Sequence, residues 1–94
     1  MLGLTDDRFR LAPNILIQKI EELGKYWVFD VETGEHYSLN ETSFWILDRL
    51  AGEAEQSDVL GEFLSEFDVS EEEGRADFAE VIKGFLEDGI LQRR

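Results

Sequence analysis

The spacing of apolar and polar positions divides the chain into a strand-rich first half and a helical second half. Residues 15–20 are rich in β-branched side chains, residues 25–31 are rich in aromatic and β-branched ones, and residues 35–39 return from the loop between them, so all three segments are predicted strands. Residues 32–34 have the form of a three-residue hairpin loop, in which Gly34 takes the left-handed conformation. The pattern therefore predicts a small antiparallel sheet.

A three-residue loop fixes the register of the predicted hairpin. It pairs Phe29 with Tyr37 and Trp27 with Leu39, and side chains alternate across a sheet. One face, predicted to be the core face, then carries Trp27, Phe29, Val31, Tyr37 and Leu39, and the opposite face carries Tyr26, Val28, Asp30, His36 and Ser38.

Three helices are predicted after the sheet. Asn40 is a good N-cap for the first, residues 41–50, Ser57 for the second, and Ser70 for the third, which ends at Gly89. Residues 1–12 lack periodicity and are predicted to be a flexible lead-in, so the folded domain is expected to span residues 13–94. The predicted core stripes are Ser43, Ile46, Leu47 and Leu50, then Val59, Leu60, Phe63, Leu64 and Phe67, then Phe78, Ile82, Phe85 and Leu86.

Composition excludes several classes of function. The chain of 94 residues has no cysteine, which excludes disulfides and thiolate metal sites and fits a cytoplasmic protein. No apolar run approaches the ~20 residues of a membrane span. The formal net charge of −13 disfavours nucleic acid and anionic membranes as partners and favours a basic peptide or protein surface, although acidity also keeps a small domain soluble.

The sequence carries no recognisable catalytic constellation. The single histidine, His36, has no second histidine or cysteine for a metal site, and the acidic run at residues 71–73 is better explained by helix capping. A glycine-rich phosphate loop is also missing from the sequence. We therefore expect a protein that is not an enzyme and that needs no cofactor or metal.

Short motifs lie at the junctions of these elements: Leu39-Asn40-Glu41-Thr42 with Ile46-Leu47, Phe67-Asp68-Val69, Asp77 with Val81-Ile82, and Gly89-Ile90-Leu91. In this order and spacing they resemble the PqqD family, named for coenzyme PQQ synthesis protein D and also called the RiPP recognition element. One departure is Phe44-Trp45, where the family often has smaller or polar residues. The resemblance implies an α+β, winged-helix-like fold with a three-stranded antiparallel sheet followed by three helices.

The resemblance also implies a function and a set of partners. Proteins of this family capture the leader segment of a ribosomally made precursor peptide, which lies between the third strand and the last helix. They present it to a modifying enzyme such as a radical SAM maturase, a cyclase or a protease. A monomer is expected, and the class of product, whether a quinone cofactor, a lasso peptide or a thioether-bridged peptide, stays open.

The residues themselves suggest where a peptide would bind. The third strand is a sheet edge without Lys or Pro, which an extended peptide could join. One flank of the last helix carries two glycines, Gly74 and Gly84, although this flank could also be ordinary surface. The predicted leader site comprises Glu35, His36, Tyr37, Ser38 and Leu39 with Asp77, Val81, Gly84, Phe85 and Asp88.

Two residues and two other functions stay open at this level. His36 is either a contact residue on the edge or an ordinary surface residue. Trp45 is either an exposed anchor for a partner protein or a ring folded down over the sheet. A winged-helix transcription regulator is disfavoured because the middle helix has no Lys or Arg on its polar face. A small non-catalytic subunit of a maturase complex without a peptide ligand is the other alternative.

Overall fold

The computed structural model describes residues 8–52 and 54–93, which form an α+β fold with one main sheet and three helices. This confirms the predicted fold class. The elements are β1 Phe9–Leu11, β2 Ile15–Ile20, a 3-10 helix at Glu21–Leu23, β3 Lys25–Asp30, β4 His36–Leu39, α1 Glu41–Ala51, α2 Gln56–Glu66, α3 Glu71–Glu87 and β5 Leu91–Arg93.

The strands form two antiparallel sheets. β2, β3 and β4 make a three-stranded sheet with β3 in the centre, and β1 pairs with β5 in a second, two-stranded sheet. Part of the predicted lead-in therefore belongs to the fold: Phe9 is only 1% exposed and pairs with Arg93. β5 forms because Gly89 reverses the chain at φ 75°, so that Ile90 and Leu91 return to the core. Residues 1–7, the rest of the predicted lead-in, lie outside the described part.

The predicted register of the β3–β4 hairpin is wrong by one residue. Phe29 pairs with His36 and Val28 with Tyr37, so the loop has four residues, 31–34, instead of three. Val28 is fully buried and points to the helices, whereas Trp27 and Phe29 lie on the opposite face of the sheet. The β3 part of the predicted core face is therefore corrected, and only the prediction for β4 holds.

The side chain of Asp30 is the physical reason for the longer loop. Its Oδ1 accepts hydrogen bonds from the Asn14 side chain at 2.9 Å and from the backbone N–H groups of Glu32 and Thr33 at 2.9 and 3.3 Å. The Asp30 carbonyl accepts from the N–H of Gly34 at 2.8 Å, and Gly34 adopts the expected left-handed conformation at φ 80°. The turn thus begins at Asp30, one residue earlier than alternation alone suggests.

We expect Asp30→Ala to change how the stability of the fold depends on pH. The hydrogen bond from Asn14, helped by those from Glu32 and Thr33, holds the pKa of Asp30 below its ordinary value of 3.8. A lowered folded-state pKa adds stability that is present above 3.8 and is lost as the pH falls through the lowered value. Urea denaturation at a series of pH values should show wild type and variant converging in acid.

Asp30→Asn is the matched control for this prediction, because an amide keeps an acceptor oxygen but does not titrate. Its unfolding free energy should lie between those of wild type and Asp30→Ala at neutral pH. A constant difference between wild type and Asp30→Ala down to about pH 2 would contradict the assigned role of the carboxylate.

Local signals place two of the three helix starts as predicted. The Asn40 side chain accepts the Ser43 N–H at 2.7 Å, and the Ser70 hydroxyl accepts the Glu73 N–H at 3.2 Å. The second helix differs, since α2 begins at Gln56 after Glu55 and Ser57 lies inside it. The strand-to-helix turn at Asn40 fixes β4 against the start of α1.

The core lies between the inner face of the main sheet and the three helices. Ile46, Leu47 and Leu50 of α1 are fully buried, as the stripe predicts. Phe44 is also buried, and its ring stacks on Tyr26 at 4.6 Å between centroids. The other buried residues are Phe9, Ala12, Ile15, Val28, Val59, Leu60, Phe63, Phe78, Ile82, Phe85, Ile90 and Leu91.

Candidate functional site

β4 forms one edge of the main sheet, with β3 as its neighbour on the other side. The N–H of Asp30 donates to the carbonyl of Glu35 at 2.9 Å, which fixes the phase of the ladder. Hydrogen-bonded pairs recur at every second residue of an antiparallel ladder, so Tyr37 bonds to β3 and the N–H and C=O groups of His36 and Ser38 face outward. The edge therefore offers two outward-facing residues to an added strand.

The side chains of β4 alternate between the two faces of the sheet. Tyr37 and Leu39 lie on the face that packs on the helices, where Leu39 contacts the core and Tyr37 is 37% exposed. His36 and Ser38 lie on the opposite face, and the His36 ring is 5.8 Å from that of Phe29. His36 is thus an exposed residue on the outer face, beside its own outward-facing backbone groups.

A shallow depression of about 310 Å³ lies between α3 and the start of α1, which directly follows β4. The start of α1 forms one side of it, and a flank of α3 that includes Asp77 and Val81 forms the other. Both Asp77 and Val81 belong to the predicted site, whereas Glu80, which also lines the depression, was not predicted. The full lining is Asn40, Thr42, Ser43, Asp77, Glu80 and Val81.

The same flank of α3 continues beyond the depression through Gly84 and Asp88, which follow Val81 at helical spacing. A Cβ placed on Gly84 would meet no atom within 4 Å, so the backbone there borders open space. Tyr37 donates its hydroxyl to Glu35 at 3.0 Å, which raises the pKa of Tyr37, and the charge of Asp88 acts in the same direction. Asp88 therefore lies near enough to β4 for its charge to act on Tyr37.

The two glycines of this flank have different surroundings. A Cβ on Gly74 would overlap the side chain of Leu64 and meet Val69 at 3.0 Å, so this glycine allows α3 to pack closely. Gly84 has no such neighbour. Of the two positions, only Gly84 leaves room for a ligand.

Two predicted site residues are packed into the fold. Phe85 is 6% exposed and belongs to the core, so it helps to hold α3 in place but offers little surface to a ligand. Trp45 is half-buried and neither stands free nor covers the sheet. Its ring packs on those of Phe67 and Phe63, with 5.5 and 6.0 Å between ring centroids. The guanidinium carbon of Arg49 lies 4.1 Å from the centroid of the Trp45 ring.

The surface around the depression and the edge of β4 is acidic. Glu35 precedes β4, Asp77 and Glu80 stand beside the depression, and Asp88 follows the end of α3. All four side chains are exposed, and the whole chain carries a net charge of −13. Such a field attracts cationic ligands and repels the phosphate backbone of nucleic acid.

Residues 8–52 and 54–93 carry little other chemistry. No group of three His, Cys, Asp or Glu side chains there could hold a metal ion. Among these residues, no helix is long and apolar enough to cross a membrane. The edge of β4 and the adjacent flank of α3 are thus the strongest candidate for a functional site in the described part of the chain.

These features define a winged-helix-like α+β domain with an open sheet edge beside its last helix. Residues 25–91 match the family model of coenzyme PQQ synthesis protein D (PqqD). The chain belongs to the PqqD family. No curated protein matches it significantly.

Two solved structures share the fold. One is described as lasso peptide synthetase B1 complexed with the leader peptide; it is 27% identical, covers 90% of this chain and 98% of its own, and has a TM-score of 0.79. The other is described as TbiB1 in complex with the TbiA(beta) leader peptide; it is 12% identical, covers 88% of this chain and 94% of its own, and has a TM-score of 0.78.

Proposed function

We propose that this protein is a non-catalytic adaptor that binds the leader segment of a ribosomally made precursor peptide and presents it to a modifying enzyme. The observation that carries the proposal is the open edge of β4 beside the Asp77–Asp88 flank of α3. The likeness to lasso peptide synthetase B1, whose structure was solved with a leader peptide, supports the same function and favours a lasso-type precursor. The enzyme would be a leader protease, a cyclase or a radical SAM maturase.

The leader would join the sheet as a fourth strand. His36 and Ser38 each turn a donor and an acceptor toward it, and each backbone hydrogen bond adds about 0.5–1.5 kcal/mol net. Because β4 has only four residues, these bonds alone give modest affinity. Further affinity and selectivity must come from leader side chains that enter the groove between β4 and α3.

The groove fits apolar leader side chains flanked by basic ones. Tyr37, Leu39 and Val81 are partly exposed apolar or aromatic surface along its inner side. Asp77 and Asp88 carry negative charge along the α3 flank, where Lys or Arg side chains of a leader would pair with them. Exposed pairs of this kind are screened by salt, so they tune selectivity more than total affinity.

Calorimetric titration tests the proposed function. A synthetic peptide of the leader encoded beside this chain should bind with a dissociation constant between about nanomolar and micromolar, which is ~8–12 kcal/mol. Duplex DNA at the same concentrations should give no heat of binding. Salt-sensitive binding of DNA without any response to the leader would favour a transcription regulator and overturn the proposal.

A further inference from the structure

The outer face of the main sheet carries an apolar patch of one exposed and three half-buried side chains. We call it the outer patch and define it as Leu16, Ile20, Trp27 and Phe29. The strand pairing places all four on the side away from the helices, since their neighbours Ile17 and Val28 point into the core. Leu16 is 58% exposed, and none of the four packs against the buried core.

The composition of this face resembles that of a protein interface. The other strand residues on it are Gln18, Lys25, His36 and Ser38, so it carries no carboxylate, although the chain has 22 acidic residues. Depletion of charge together with aromatic side chains is typical of the buried centre of an interface. A purely solvated face of so acidic a protein would be expected to carry some of its charge.

The outer patch is continuous with the proposed leader site. Phe29 is paired with His36, and Trp27 with Ser38, so the patch borders β4, the strand whose free edge the leader would join. Alternate side chains of an added strand would project on this same face. A protein that covers both the outer patch and the outer face of β4 would therefore contact the loaded leader as well.

We propose that the outer patch docks the peptide-modifying enzyme, through a surface of that enzyme with an apolar centre and basic surroundings. This inference rests on the proposed function. Glu21 and Glu22 lie in the connection at one end of the sheet, and Glu32 and Glu35 lie at the other end. Because these carboxylates flank the outer patch, we expect basic residues around the apolar centre of the enzyme's surface. A second copy of this chain is disfavoured as occupant because two chains, each with a charge of −13, repel each other.

Leu16→Lys tests the docking, and Leu23→Lys is its matched control. Both leucines are well exposed, at 58% and 65%, but Leu23 lies in the 3-10 helix outside the outer patch. The probe is the purified modifying enzyme encoded beside this chain, immobilised for interferometry, with the leader-loaded protein in solution. We expect Leu16→Lys to lower affinity for the enzyme at least about tenfold and Leu23→Lys to leave it unchanged.

Leader affinity, measured calorimetrically for each variant, separates the two proposals. It should be unchanged in both variants, because neither position contributes to the groove. Normal docking of Leu16→Lys with intact leader binding would overturn the docking proposal alone. A wild-type dimer in light scattering that Leu16→Lys converts to a monomer, with enzyme binding unaffected, would assign the patch to a second copy. Failure of wild type to bind the leader would contradict the proposed function itself.

Discussion

Ser38→Pro is expected to abolish most leader binding while the free domain stays folded. The N–H of Ser38 faces away from β3, so proline removes no hydrogen bond of the sheet, and proline is tolerated at such positions of edge strands. An added strand would lose this donor and meet the proline ring instead. The leader carbonyl that loses its partner would cost about 1–3 kcal/mol, which corresponds to a ~5- to 150-fold loss of affinity.

Ser38→Ala is the matched control, because it removes the hydroxyl and keeps the N–H. Its leader affinity, measured by the same calorimetric titration, should stay within about threefold of wild type. Far-UV circular dichroism must show both variants folded. Equal affinity of folded Ser38→Pro and Ser38→Ala would mean that the leader does not add to β4.

Gly84→Leu should separate stability from binding. The leucine side chain would stand in open space beside the groove, since nothing lies within 4 Å of a Cβ at this position. Leucine is also the better helix former, so the free energy of unfolding should rise by about 0.5–1 kcal/mol. A leader strand that passes close to α3 would collide with the side chain, and its affinity should fall at least about tenfold.

Gly61→Leu offers the control for this prediction within the same chain. Gly61 lies inside α2 and also has no atom within 4 Å of its Cβ, but α2 contributes no residue to the depression or to the main sheet. Denaturation should show a similar gain of stability, and titration an unchanged leader affinity. If both variants bind the leader like wild type, the leader does not approach the Gly84 flank.

Local signals in the sequence were sufficient for two of the three helix starts and for the strand-to-helix turn. The Asn40 and Ser70 caps act within three residues of their own position, and both form the predicted hydrogen bonds. The buried stripe of α1 follows from helical periodicity alone. Phe44 was missed because its burial depends on Tyr26, which lies on a different element.

The register of the hairpin could not be predicted from alternation. Trp27 and Phe29 form one apolar set, and Tyr26 and Val28 form another, so either set could face the helices. Asp30 determines which set faces the helices, because its hydrogen bonds start the turn one residue earlier than predicted. One of these bonds comes from Asn14, which is distant in sequence. The outer patch follows directly from this correction, because it places Trp27 and Phe29 on the exposed face.

The short sheet of β1 and β5 was missed for a related reason. Each strand has three residues, too few for a periodic signal, and the pairing joins opposite ends of the described chain. Phe9 is buried only because β5 returns beside it after Gly89. Contacts of this kind are set by tertiary structure and leave little trace in local sequence.

The candidate site was predicted in its elements but not in its geometry. Periodicity assigns Asp77, Val81, Gly84 and Asp88 to one flank of α3, but it cannot tell which flank faces β4. The depression that joins Asp77 and Val81 to the start of α1 is the observation that favours this flank. Glu80 became visible as a neighbour of the site only through this geometry.

Amide hydrogen exchange with and without the leader tests the central claim most directly. In the free protein, Tyr37 should be protected by its bond to β3, while His36 and Ser38 should exchange rapidly because their N–H groups face outward. Saturating leader should protect His36 and Ser38 and change little at β2, the opposite edge of the sheet. Tight leader binding that leaves both amides fast, or that protects β2 instead, would contradict strand addition at β4.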